Sequence, residues 1–195
     1  MNALQEKAPF MSAVFANLIF QGLVTYQSAT TVIENPLYSD YMARNALFNL
    51  LLLIGLFLIL VFAKLSLPFK FGLFTVISIL MGAYISPQAN IKEALLEVVT
   101  IFIGMFILGL LSVQFGFDLR PLGVLLFFGL LALIFSRLFS PGEKKYAKIG
   151  SLLFALFVVF DTNNILKKNY GGDFIDASLD YFLDIINLLQ YRMND

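Results

Sequence analysis

Apolar residues in this chain come in long unbroken runs separated by short polar clusters, a spacing far longer than the repeat of an amphipathic helix or strand. No charged residue falls within 11–33, 45–63, 71–91 or 98–117. A helix needs roughly 20 apolar residues to cross ~30 Å of hydrocarbon, and each run is about that long. Seven spans fit the pattern, at approximately 11–33, 43–63, 69–86, 94–116, 121–139, 147–168 and 174–191. The connectors carry turn chemistry and charge: Glu34-Asn35-Pro36, 64–68, 87–92, 118–121, Ser140-Pro141-Gly142-Glu143 and Gly171-Gly172-Asp173. Most are short, so successive helices are expected to be antiparallel neighbours. The expected architecture is all-α, a seven-transmembrane-helix bundle, with residues 1–195 as a single integral membrane domain. The first run has no small-residue cleavage signature and is too long for a signal-peptide core, so it reads as a retained helix.

Composition narrows the chemistry. Of 195 residues, 59% are hydrophobic and 13% charged, against about 25% charged in soluble domains. Thirteen basic residues balance thirteen acidic ones, and no basic run exceeds two residues, which excludes nucleic acid as a partner. The lipid bilayer is the expected surrounding. Histidine and cysteine are both absent, which removes Ser-His catalysis, imidazole and thiolate metal sites, disulfides and the usual physiological pH switch. Any metal must be held by oxygen, and any titration near neutral pH must come from carboxyl groups. Basic residues divide six against seven between the two sides of the seven-span layout, so the positive-inside rule assigns no orientation.

The last two spans differ from the first five. Asp161 ends the uncharged run 151–160, and Asp173, Asp176, Asp180, Asp184 and Asn187 recur at spacings of three and four. That spacing places them in one stripe on a helix whose other residues are mostly apolar. A carboxylate facing lipid at the bilayer centre costs ~2.5–3.5 kcal/mol or more, so the stripe must face the bundle interior or water. Asp161 lies ten residues before the Gly171-Gly172 turn and Asp184 twelve after it. At about 1.5 Å per residue, both fall roughly 15–18 Å from the turn, near mid-membrane. Asp180 falls level with Asn163 or Asn164. Two carboxylates that meet at such a depth have few stable states. They share a proton, bind a hard cation such as Ca²⁺ through oxygen, or pair with a basic residue, and neither helix offers one at that depth. The bland alternative is a local hydrogen-bonding or kink-capping role. For Asp173 and Asp176, at a helix N-terminus, opposing the macrodipole is explanation enough.

Phe160-Asp161-Thr162-Asn163 followed by Leu183-Asp184-Ile185-Ile186-Asn187-Leu188 resembles the paired signature of the transmembrane Bax inhibitor-1 motif family. The match is strongest over about 145–189, and the seven-span layout extends it along the chain. The resemblance implies a bundle whose last helix, with its acidic stripe, is central. It also implies a pH-sensitive calcium leak in intracellular or bacterial membranes, with cell-death suppression in eukaryotes. Carried over, Asp161 and Asp184 become the hydrogen-bonded aspartates that sense pH and control a pore. Asp180, Asn187 and Asn164 become further positions along the path. No cofactor is implied; Ca²⁺ is the transported ion, or is bound at Asp161 and Asp184. The sequence departs from the family in several places. Asn163 stands where glutamine is common and Leu189 where phenylalanine is usual. The second span has no acid where bacterial members often carry a pore-facing one. Lys64 ends that span where a basic residue is often found, and 190–195 lacks the strongly basic ending of some eukaryotic members.

Three functions compete on these residues. The first is a passive, pH-gated Ca²⁺ leak channel. The second is a membrane-embedded regulator of cell death or of a membrane protease, acting through contacts with other membrane proteins. The third is an intramembrane aspartyl protease, whose Gly-x-Gly-Asp pattern fails here. Tyr170 precedes Gly171-Gly172-Asp173, and those residues lie in a connector. The expected protein is therefore no enzyme.

Overall fold

The computed structural model describes residues 3–85, 91–139 and 144–193. Eight helices account for nearly all of them: α1 (Ala3–Glu34), α2 (Pro36–Arg44), α3 (Ala46–Phe62), α4 (Leu67–Ile85), α5 (Ile91–Gln114), α6 (Arg120–Phe139), α7 (Lys144–Lys167) and α8 (Phe174–Met193). No strand occurs among the described residues. The connectors expected at 87–90 and Ser140-Pro141-Gly142-Glu143 lie outside the described residues.

Each of the seven expected stretches contains one long helix, but there are eight helices among the described residues, and only five of them, or six spans with one bent pair, are long and apolar enough to cross a membrane. α1 starts well before residue 11, because Glu6 in its first turn opposes the macrodipole and polar residues continue a helix beyond the hydrocarbon. The stretch assigned to a loop and to the start of the second span is instead a separate nine-residue helix, α2. Asn35 caps it, accepting from the Leu37 amide at 3.1 Å, and Pro36 occupies its first turn, where the missing N–H costs nothing. α2 meets α3 at an angle of 79°, with the break at Asn45. Leu37, Tyr38 and Tyr41 on α2 are exposed, a composition suited to the bilayer interface.

α1, α4, α5, α6 and α7 are each long and apolar enough to cross a membrane, and α2 with α3 are so as a bent pair. Their outward positions (Leu47, Phe62, Phe69, Leu125, Phe128, Leu152) are large, apolar and exposed, which is stable only where lipid is the solvent. The chain is a multi-pass integral membrane protein. α8 carries too many carboxylates to qualify by composition. Its described residues are nonetheless all buried or half-buried, with Asp184 buried and Asp176 and Asp180 half-buried.

The helices form two compact units. One contains residues 9–89 and 173–179, the other 1–8, 90–172 and 180–195. In the first, α3 packs on α4, and α1 meets α4 along a polar seam. Gln21 bonds Thr75 (3.2 Å) and accepts from Ser78 (2.9 Å), while Asn17 donates to Ser178 at 2.5 Å. Gly82 on α4 lies against the Thr25 carbonyl of α1 so closely that a Cβ there would overlap it. Small residues that let backbones approach, and polar residues that bond across helices, are the usual adhesives between helices in lipid. In the second unit, α5 and α6 both pack on α7.

Candidate functional site

The candidate site lies in the second unit, where α7 is wedged between two close helix approaches. Gly109 of α5 lies against the Thr162 side chain and Gly123 of α6 against the Phe160 ring, each with no room for a Cβ. Asp161, between Phe160 and Thr162, is thereby fixed in depth and rotation. The Gly171-Gly172 turn, with φ of 60° and 87°, uses the left-handed conformations glycine adopts without strain and returns the chain along α8.

Asp161 and Asp184 meet. They are 9% and 3% exposed, and their carboxyl groups lie within hydrogen-bonding reach of each other. A carboxyl–carboxyl bond requires one proton between the two groups. The second oxygen of Asp184, Oδ2, is buried and has no hydrogen-bond partner. The surrounding polar groups are satisfied. The Tyr181 hydroxyl donates to Thr162 Oγ1 at 2.9 Å, and Thr162 donates to the Val158 carbonyl at 2.7 Å. Asn163 donates to Ser112 Oγ (2.7 Å) and to the Phe117 carbonyl (3.1 Å). The Tyr181 ring is fully buried, edge-on to Phe102 with centroids 5.2 Å apart.

The remaining expected positions are distributed differently. Asp180 accepts from the Tyr170 hydroxyl at 3.2 Å. Tyr170 lies between α7 and α8, and burial followed by the negative Asp180 pushes its phenol up, so it remains a protonated donor. Asn187 donates to the Leu183 carbonyl of its own helix (2.8 Å). Asn164 lines a separate cavity with Asn163, Phe160 and three basic residues. As to Ca²⁺, the pair offers four carboxyl oxygens against the roughly six to eight that the ion takes. No group of three or more acidic residues suited to a metal occurs among the described residues. The donor set suits a proton or a passing cation better than a resident ion.

The sequence reading missed three participants. Lys70 of α4, in the first unit, is buried and holds both Asp173 Oδ2 and Asp176 Oδ1 at 2.6 Å. Those two acids thus form an ion triad, and Asp173 also caps α8 through the amides of Ile175 and Asp176 (3.1 and 3.2 Å). A lone lysine at the edge of an apolar stretch was the available signal. Tyr181 and Thr162 sit three residues before Asp184 and one after Asp161. Their signal was a polar tip on otherwise apolar faces.

The family described as "Inhibitor of apoptosis-promoting Bax1" matches residues 7–193. Among relatives, Bax inhibitor 1 of Schizosaccharomyces pombe is 29% identical over 195 aligned residues, covering 92% of this chain and 72% of the relative. Protein LIFEGUARD 2 of Arabidopsis thaliana is 28% identical, covering 92% of this chain and 83% of its own. Protein lifeguard 4 of Mus musculus is 28% identical over about half of this chain (53%) and 44% of its own. With the match running through nearly every helix and through both aspartates, the chain belongs to the Bax inhibitor-1 family, whose names associate it with the regulation of cell death.

Proposed function

We propose that this protein is a passive, pH-gated Ca²⁺ leak channel, closed by the proton shared between Asp161 and Asp184. The observation that carries the reading is that two carboxyl groups are buried side by side. At low pH the shared proton holds α7 to α8. As pH rises and the proton leaves, two carboxylates about 4 Å apart repel by ~4 kcal/mol at an effective dielectric constant near 20. The pair parts, and its oxygens attract a cation. Asp180, the next acid along α8, extends that path toward Tyr170, and Asn187 is the next polar position along the helix in the other direction. No covalent step is involved.

The reading takes all seven long helices as crossings, and three contacts support that count by parity. Lys7, near the start of α1, donates to the Lys168 carbonyl after α7 (2.7 Å). Two points on one membrane face are separated by an even number of crossings, and α1, α3, α4, α5, α6 and α7 make six. Without α3, only 17 residues long, the count would be odd. Lys70 and Asp173 bracket α4 to α7, again an even number. Arg192 at the end of α8 pairs with Glu97 at the start of α5, which is even only if α8 crosses.

The test is Ca²⁺ flux into vesicles holding the purified chain, at about pH 6 and about pH 8. Flux is expected to be greater at the higher pH. Asp161→Asn and Asp184→Asn, which keep the shape but cannot become anionic, are expected to hold it low at both. Flux that ignores pH and both substitutions would remove the sensor. If the pure protein passes no Ca²⁺, the second reading takes over: a regulator acting on other membrane proteins, as the names of the family and its yeast relative indicate.

A further inference from the structure

We propose that the cavity at the paired ends of α6 and α7 is a binding site for the phosphate of an anionic phospholipid headgroup. The cavity has a volume of about 370 Å³ and is lined by Arg120, Phe160, Asn163, Asn164, Lys167 and Lys168. It is distinct from the aspartate pair and independent of whether the chain conducts Ca²⁺.

Depth supplies the first argument. Arg120 opens α6 and Lys167 closes α7, each the limiting residue of a membrane-crossing stretch. The cavity therefore opens where a crossing helix leaves hydrocarbon, the level occupied by lipid headgroups. The Phe117 carbonyl accepts from Asn163 and from Lys167, two residues of the cavity lining, and the Phe117 side chain is exposed.

Charge supplies the second. Three cationic side chains converge on the cavity, and Asp118 offsets one of them through a hydrogen-bonded pair with Arg120 (2.6 Å). That bond holds the exposed Asp118 carboxyl down at about 2, so it stays anionic and the offset is constant. Two positive charges remain in excess. Lysines in the last turn of α7 are favoured by its negative end, and Arg120 at the positive end of α6 is held by Asp118, which also accepts from the Arg120 amide at 3.0 Å.

Chemistry supplies the third. The lysines supply point charges for phosphate oxygens, and Arg120, whose Nε and Nη2 are on Asp118, has its remaining guanidinium nitrogen to add. Phe160 provides an apolar floor on the side of the acyl chains. A headgroup carrying its own cation would bring that cation into a site that already has excess positive charge. The site therefore favours phosphatidylglycerol over phosphatidylcholine.

The test compares the full chain in micelles doped with phosphatidylglycerol or phosphatidylcholine, with retained lipid counted by native mass spectrometry. Preferential retention of phosphatidylglycerol is expected, falling about fivefold for each charge removed in Arg120→Gln and Lys167→Gln. Arg120→Lys with Lys167→Arg should keep the preference, showing that the loss is not one of folding. Lys144→Gln with Lys148→Gln, which removes two exposed charges at the other end of α7, should leave it intact. Equal retention of both lipids by the parent, or equal loss in the Lys144/Lys148 variant, would overturn the proposal. So would inorganic phosphate raising the melting temperature of lipid-free protein as much as phosphatidylglycerol does, which would make free phosphate the ligand.

Discussion

Lys70 shows how one residue changes the meaning of its neighbours. From sequence alone, Asp173 and Asp176 were first-turn acids answering a helix dipole; in the structure they also share a lysine that is 9% exposed. Replacing Lys70 with methionine leaves two acids facing each other without a counter-charge. The expected cost is about 2 kcal/mol, below that of a fully buried pair because Asp176 is half-exposed. Adding Asp176→Asn to that variant should recover part of it. Thermal unfolding in micelles measures both, and no change in the single variant would show the triad to be energetically idle. Tyr181→Phe, which removes the bond to Thr162, should cost about 1 kcal/mol. The aspartate pair was legible because a carboxylate in an apolar run is costly wherever it sits, and counting from Gly171-Gly172 fixed its depth. Lys70 was not, since its partners lie more than a hundred positions away and no local pattern encodes that pairing.

At the scale of the helix, the joints are glycines. The sequence marks them only as small residues in apolar runs, indistinguishable from Gly55 or Gly104, which have open space around them. Gly82 is the stringent case, because its neighbour is a backbone carbonyl that cannot rotate away. Gly82→Ala should destabilise by about 1–3 kcal/mol, whereas Gly104→Ala should be neutral or slightly stabilising. Unfolding midpoints of the two variants make the comparison, and equal midpoints would refute the close approach of α1 to α4. Helix positions were legible because uncharged runs mark hydrocarbon. α2 was not, since a nine-residue helix set by a capping asparagine and a proline leaves no mark on that pattern.

For the whole molecule, the proposed seven crossings set which ends would share a face of the membrane. The chain has no cysteine, so single-cysteine variants report accessibility without background. Arg44→Cys should react with an impermeant reagent from one side, and Lys64→Cys and Asn169→Cys from the other. Arg44→Cys and Lys64→Cys reacting from the same side would show that α3 turns back. Within the second unit, the glycine joints also divide the labour of any opening motion. Gly109 and Gly123 grip α7 immediately either side of Asp161, so α7 can neither slide nor roll without driving a side chain into a neighbouring backbone. Tyr191 of α8 seats against Gly150 of α7, seven residues, or about 10 Å, beyond Asp184. In mechanical terms α7 is the stator. On the proposed mechanism the seat at Gly150 would be a fulcrum, and the displacement that parts the two carboxyls would belong to the arm of α8 on the far side of it.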